Sequence, residues 1–442
     1  MTTTVRNMEE RSMGYFYFIA LVAALGGGLF GYDTAVISGT ISMVVAQFGL
    51  TPSMEGTYVG CALIGSIAGV LCSGLLFEGG GRKRSLIIAS VLYTVSAAGC
   101  AISNSFASLV LFRIVGGVGI GISAVVAPAY ISEIAPAKHR GRLVSLYQLA
   151  VTIGFLAAYI VNYFLLEYSL GATACRNGLF TKIFINECWR GMLFAETLPA
   201  ALFIVLLFFI PESPVWLSMR GREKQSLRAE LKVISRPPIL GAVLIGAAIA
   251  ILGQFMGVNA VLYYGPSIFE KSGLASGDSL FYQVLVGLVN VVTTVIAFFI
   301  IDRVGRKRLV YFGVTGMIAA LLGIAWYFQF GQGLSNYILL TLFLLYIFFC
   351  AISICAVIFV LLAEMFPSQV RGIAMSVAEL ALWIGTWLIG QLTPIFLETL
   401  KPQGTFLLFA VICVPYILIV WKLLGGDRGV LVQPETENLI KR

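Results

Sequence analysis

The sequence predicts an all-α membrane protein of twelve transmembrane helices in two pseudo-symmetric six-helix halves. Three observations carry that prediction. Hydrophobic residues make up 59% of the 442 residues, charged residues only 11%, and the mean hydropathy is +0.95. A soluble domain carries about 25% charged residues, so this chain cannot cover itself with a solvated surface. The apolar residues also fall into stretches that match a hydrocarbon core of about 30 Å. Finally, charged phrases repeat about half a chain apart. Glu133-Ile-Ala-Pro136 with Arg140-Gly141 returns as Glu364-Met-Phe-Pro367 with Arg371-Gly372, Gly81-Arg82-Lys83 as Gly305-Arg306-Lys307, and Pro211-Glu212-Ser213 as Pro434-Glu435-Thr436.

In chain order, the first span (14–46) follows Arg6, Glu9, Glu10 and Arg11 and lacks a small-residue cleavage site, which argues against a removable signal peptide. Spans 2 to 6 are read at 55–77, 86–104, 107–130, 143–166 and 190–210. The glycine series 116–121 lies mid-span with no preceding strand, so it reads as helix packing rather than a nucleotide loop. A polar segment with six basic residues between Arg220 and Arg236 then divides the repeats. Spans 7 to 12 follow at 238–268, 280–301, 309–328, 337–362, 373–397 and 404–424. The expected division is a first half at 1–211, a short cytoplasmic linker at 212–237, a second half at 238–424 and a cytoplasmic tail at 425–442.

The net charge of +8 is a topology signal. With both termini in the cytoplasm, most Lys and Arg fall on the cytoplasmic side, as the positive-inside rule requires. Nucleic acid is not the implied partner. The lean loops point to a bacterial inner (plasma) membrane and the chain is expected as a monomer in lipid. The only histidine, His139, lies in a loop, and no nucleophile–base or metal constellation occurs, so neither an enzyme nor a cofactor is expected. Cys61, Cys72, Cys100, Cys350, Cys355 and Cys413 lie in apolar spans as packing residues. Cys175 and Cys188 share the loop before span 6, either bridged in an oxidising exterior or as two thiols.

An ionisable side chain deep in a span costs about 2.5–3.5 kcal/mol on insertion scales. Asp33 in span 1 and Arg113 in span 4 run to the same half of the membrane and can pair. Such a pair is either a static bridge or a proton switch, since a proton or a conformational change can separate acid and arginine. In span 7, Gln254 and Asn259 are five apart, off one ideal stripe, but Gly257 between them and Gly265-Pro266 beyond permit local unwinding. With Gln148 in span 5 they offer amides that suit sugar hydroxyls without a charge penalty. The repeated charges Arg82, Glu133, Arg140 and Glu212, matched by Arg306, Glu364, Arg371 and Glu435, would tie helix ends together and bias a two-state equilibrium.

These residues resemble the sugar porters of the major facilitator superfamily, most of all bacterial xylose–proton symporters and more distantly facilitative glucose transporters. The resemblance covers nearly the whole chain. It rests on Gly31-Tyr32-Asp33, Gly81-Arg82-Lys83, Arg140 to Ser145 with Gln148, and Pro211-Glu-Ser-Pro-x-Trp-Leu217. The second half adds Gln254 to Tyr264, Asp302-Arg-x-Gly-Arg-Lys307 and Glu364 to Gly372. It implies the major facilitator fold and alternating access. It also implies sugar contacts at Gln148, Gln254, Asn259, Phe30, Phe359 and Trp383, an outer gate at Tyr263 and Tyr264, and proton coupling at Asp33 and Arg113. The chain departs from the pattern at Gly253 (a glutamine in the family), Phe359 (a tryptophan) and Leu382 (a polar residue). Lost partners in a hydroxyl-reading site shift selectivity by orders of magnitude. Import of a monosaccharide or related polyol with a proton is the expectation; facilitative uniport and, more remotely, nutrient sensing stay open.

Overall fold

The computed structural model describes residues 13–172, 178–219, 237–331, 333–355, 357–358, 362, 366 and 371–424. Twelve long helices follow one another among these residues, and no strand. They are α1 (Met13–Phe48), α2 (Pro52–Gly79), α3 (Arg82–Ile102), α4 (Phe106–Ile134) and α5 (Arg140–Gly171). Next come α6 (Cys188–Phe194 and Thr197–Phe208) and α7 (Pro237–Phe255 and Val258–Lys271), each in two segments. Then follow α8 (Ser276–Val304), α9 (Arg306–Phe330), α10 (Asn336–Ile352), α11 (Arg371–Thr399) and α12 (Lys401–Leu424). Eleven are long and apolar enough to span a membrane; α10 is shorter, at 17 residues. Span 10 was expected to run unbroken to 362; its first segment ends at Ile352, where Ser353 takes φ −115° and ψ −83°, and helix resumes at Ile354, with Cys355, Val357, Ile358 and Leu362 also helical.

Local chemistry explains several boundaries. Ser105 begins α4 with a capping box, its hydroxyl accepting from the Ser108 N–H. The two Gly-Arg-Lys phrases do the same backbone work in each repeat. Gly81 (φ 91°) precedes α3 and Gly305 (φ 85°) precedes α9, and only glycine adopts such angles without strain. Arg190, buried at the start of α6, donates to the carbonyls of Ala101 (3.0 Å) and Ser103 and to Glu187. Burial works against the Glu187 carboxylate, but hydrogen bonds from Arg190 and Gln47 outweigh it and hold its pKa below the usual value.

The helices form two compact units. One contains α1–α6 with Leu262–Val291; the other contains the remainder of α7 and α8 with α9–α12. The same pairings recur inside each. In the first unit α1 packs on α5 and α6, α3 on α4 and α6, and α5 on α6; in the second α7 packs on α11 and α12, α9 on α10 and α12, and α11 on α12. The repeated phrases thus mark a repeated packing scheme.

Small residues set the closest of these contacts, since helices in lipid associate by packing and interhelical hydrogen bonds rather than by apolar burial. At the α1–α5 crossing, a Cβ on Gly154 would collide with the Gly28 carbonyl oxygen and lie 2.9 Å from the Tyr32 backbone nitrogen. Asn162 adds a bond from its Nδ2 to the Val36 carbonyl at 3.0 Å. The glycine series of α4 meets Ser96, Ala62 and Ser66 of the neighbouring helices, as helix packing requires. Gly154→Val is therefore expected to lower stability by about 1–3 kcal/mol or more through overpacking. A Cβ on Gly171, at the end of the same helix, meets nothing within 4 Å, and Gly171→Ala should be near neutral. Thermal melts of the detergent-purified variants check the contrast.

Candidate functional site

In the first unit, α1 and α4 bring Asp33 and Arg113 together, each 1% exposed. Arg113 Nη1 donates to Asp33 Oδ1 at 2.5 Å, and both terminal nitrogens reach the Asp33 carbonyl at 3.2 Å. A third ionisable group joins them. Glu196, also 1% exposed, sits at the turn between the segments of α6, with its carboxyl against that of Asp33. Asp33 Oδ2, Glu196 Oε1 and Arg113 Nε are buried without a hydrogen bond. Two carboxyls thus face one guanidinium. Like charges this close do not both ionise readily, so the cluster is suited to hold one proton. A small cavity beside it is lined by Thr34, Ile37, Val59, Ala62, Arg113 and Tyr263.

Tyr263 and Tyr264 are buried on the second segment of α7, in the part of the chain that packs within the first unit. Tyr159 OH and Gln283 Nε2 both donate to the Leu262 carbonyl, at 2.9 and 3.1 Å, and Ser42 Oγ donates to Glu270 Oε2 at 2.6 Å. The Tyr159 and Ser42 bonds hold residues 262–291 to α5 and α1, and the Gln283 bond ties that stretch to itself. Phe30 and Gln148 lie half-buried on α1 and α5, and the Thr34 hydroxyl donates to the Phe30 carbonyl at 2.7 Å.

In the second unit, α7 breaks between Phe255 and Val258, where Gly257 takes φ 97°. The break turns Asn259 back so that its Nδ2 donates to Gln254 Oε1 at 2.6 Å, although five residues on a continuous helix would set them apart. The unwinding sits at Gly257 alone; the helix runs on through Gly265 and Pro266. The Thr386 hydroxyl of α11 reaches the same Gln254 oxygen at 3.2 Å. One turn earlier Trp383 is buried, and its indole bonds Glu379. Phe359 lies outside the described residues.

The charged phrases of the first half converge on one cluster. Arg82, 3% exposed, donates through Nε and Nη2 to both oxygens of Glu133 at 2.7–3.2 Å. The Ser213 hydroxyl also donates to Glu133. Glu212 accepts from the backbone N–H groups of Arg82 (2.9 Å), Lys83 (3.1 Å) and Ser213 (2.9 Å). Arg140 stays exposed at the start of α5. In the second half Glu364 and Glu435, and the side chains of Arg306 and Arg371, lie outside the described residues, as does Cys175. Cys188 is buried, its Sγ 3.3 Å from Met43 Sδ.

Reading by residue type missed Glu196 and Glu379, because each interrupts a stretch read only as apolar. The signal was present: an acid inside a span marks function by default.

The family model "Sugar (and other) transporter" matches residues 19–238 and 226–425. The chain is 34% identical to an arabinose–proton symporter of Bacillus subtilis, covering 97% of this chain and 94% of that protein. It is 36% identical to a glucose transporter of Staphylococcus epidermidis, covering 93% and 95%. A solved structure of the xylose transporter of Escherichia coli, in its inward-open conformation, superposes with a TM-score of 0.79 at 31% identity, over 96% of this chain and all of that one.

Proposed function

The chain belongs to the sugar transporter family, and from that membership we propose that it imports a monosaccharide, or a related polyol, together with a proton by alternating access. The observation that carries the coupling is the buried Asp33–Arg113 pair with Glu196 against it. While Asp33 is ionised it holds the guanidinium. A proton taken up by the two carboxyls weakens that hold and releases Arg113, which shifts the balance between conformations as far as the difference in its contacts allows. Sugar hydroxyls pair with the amides of Gln254, Asn259 and Gln148, with aromatic contacts from Phe30, Phe359 and Trp383. Tyr263 and Tyr264 serve as the outer gate. Arg82, Glu133, Arg140 and Glu212 tie the inner helix ends together, with Arg306, Glu364, Arg371 and Glu435 as their counterparts in the second half.

The distribution of basic residues supports cytoplasmic termini, and the reading places the protein as a monomer in a bacterial inner membrane. The test is uptake of a labelled sugar and polyol panel by proteoliposomes with a more acidic exterior. Accumulation above equilibrium, collapsed by a protonophore, is expected for at least one member. Equilibration that ignores the gradient would make the protein a uniporter and Asp33–Arg113 a static bridge.

A further inference from the structure

Glu379 is an intramembrane carboxylate that proton coupling does not use. It lies on α11, four residues before Trp383 and seven before Thr386, so the three share one stripe of the helix. The opposite face carries Val377 and Ile384, apolar and 37% and 36% exposed, as a lipid-facing stripe should be. Glu379 is therefore turned away from lipid and is itself only partly exposed. The indole N–H of Trp383 donates to it, while Thr386 leads to Gln254 and through it to Asn259.

An acid at this depth costs about 2.5–3.5 kcal/mol on insertion scales, which one indole bond does not offset. No lysine or arginine among the described residues forms an ion pair with it. A carboxylate accepts at about four lone-pair sites, so an acceptor held by one indole retains capacity for further donors. Around it, two side chains that could read hydroxyls are missing, since position 253 is glycine and position 382, on the flank of the same stripe, is leucine.

We propose that Glu379 is a specificity-determining residue of the sugar site carried by the second unit, accepting hydrogen bonds from neighbouring sugar hydroxyls while it fixes the Trp383 indole. The substrate class this selects is a neutral polyol or sugar with adjacent free hydroxyls. Bonds from hydroxyls to a carboxylate are charge-assisted and about twice as strong as neutral ones. An analogue lacking the hydroxyl leaves the acid unpaired, and the site rejects it. The assignment rests on the transport reading and sharpens it.

Counterflow exchange, which needs no proton gradient, tests it with wild type, Glu379→Gln and Glu379→Ala. The probes are the best transported sugar, its monodeoxy analogues and its amino analogue. Wild type is expected to reject one deoxy analogue by about 10- to 100-fold, the worth of a bond to a charged acceptor. Glu379→Ala should weaken the parent sugar by that factor and leave that analogue unchanged, so that discrimination collapses. Glu379→Gln, which keeps size and an acceptor oxygen, should retain part of it and guards against a folding defect in the alanine variant. Equal losses for the parent and every analogue, or discrimination that survives both substitutions, would overturn the proposal. So would a preference for the amino analogue that Glu379→Gln removes, which would assign the acid to a cation. If wild type moves no panel member, the transport reading fails first and takes this one with it.

Discussion

Asp33→Asn proteoliposomes are expected to exchange labelled sugar but not to accumulate it against a gradient. With one proton per sugar, a one-unit pH difference supports about ten-fold accumulation, because 1.4 kcal/mol is a factor of ten. The amide cannot take up and release a proton, so the expected ratio for the variant falls to about one. The geometry makes the substitution informative. Asp33 Oδ1 already receives Arg113 at 2.5 Å, and an amide oxygen can still accept there, so register between α1 and α4 should survive. Glu196→Gln is the companion. Because the Glu196 carboxyl lies against that of Asp33, the proton is shared between them on this reading, and this variant should lower accumulation without abolishing it. Full accumulation by Asp33→Asn would leave the pair as a register-fixing bridge.

Much of this cluster was legible in the sequence, for a physical reason. Asp33 and Arg113 are of opposite sign in a medium that penalises both, so proximity could be inferred from depth alone. The repeated Gly-Arg-Lys phrase was legible as a repeat, but its backbone meaning was not, because a φ of 91° at Gly81 and 85° at Gly305 is a property of the helix start. The break in α7 could be anticipated from Gly257, since glycine tolerates φ 97°; the parallel expectation at Gly265-Pro266 failed because the helix there absorbs the proline. Glu196 was hidden by averaging. One carboxyl barely changes the mean hydropathy of a 21-residue span, yet its position at a helix turn decides what it faces.

The second large effect is expected at the helix ends of the first unit. Removing one partner of a buried ion pair strands the other charge, at a cost of about 3–5 kcal/mol. Arg82 is 3% exposed, and its forked hydrogen bonds occupy both oxygens of Glu133, which also accepts from Ser213. Glu133→Ala therefore removes the carboxylate that the buried guanidinium forks onto and the acceptor of the Ser213 hydroxyl. Glu212 stays behind, yet it already holds three backbone N–H groups and cannot take up the guanidinium without uncapping α3. A fall in melting temperature of roughly 10 °C is expected for Glu133→Ala and for Arg82→Ala. Arg140→Ala, at an exposed position of the same repeated phrase, should stay within about 0.5 kcal/mol of wild type. The double variant separates pairing from topology. If the two charges exist to hold each other, removing both should cost less than the sum of the single losses, by about 0.5–3 kcal/mol. Additive losses would mean that each charge acts alone, and the phrase would then serve membrane orientation. Because α3 and α4 both lie in the first unit, the pair contributes to that unit's rigidity, which a body moving as one piece during transport requires.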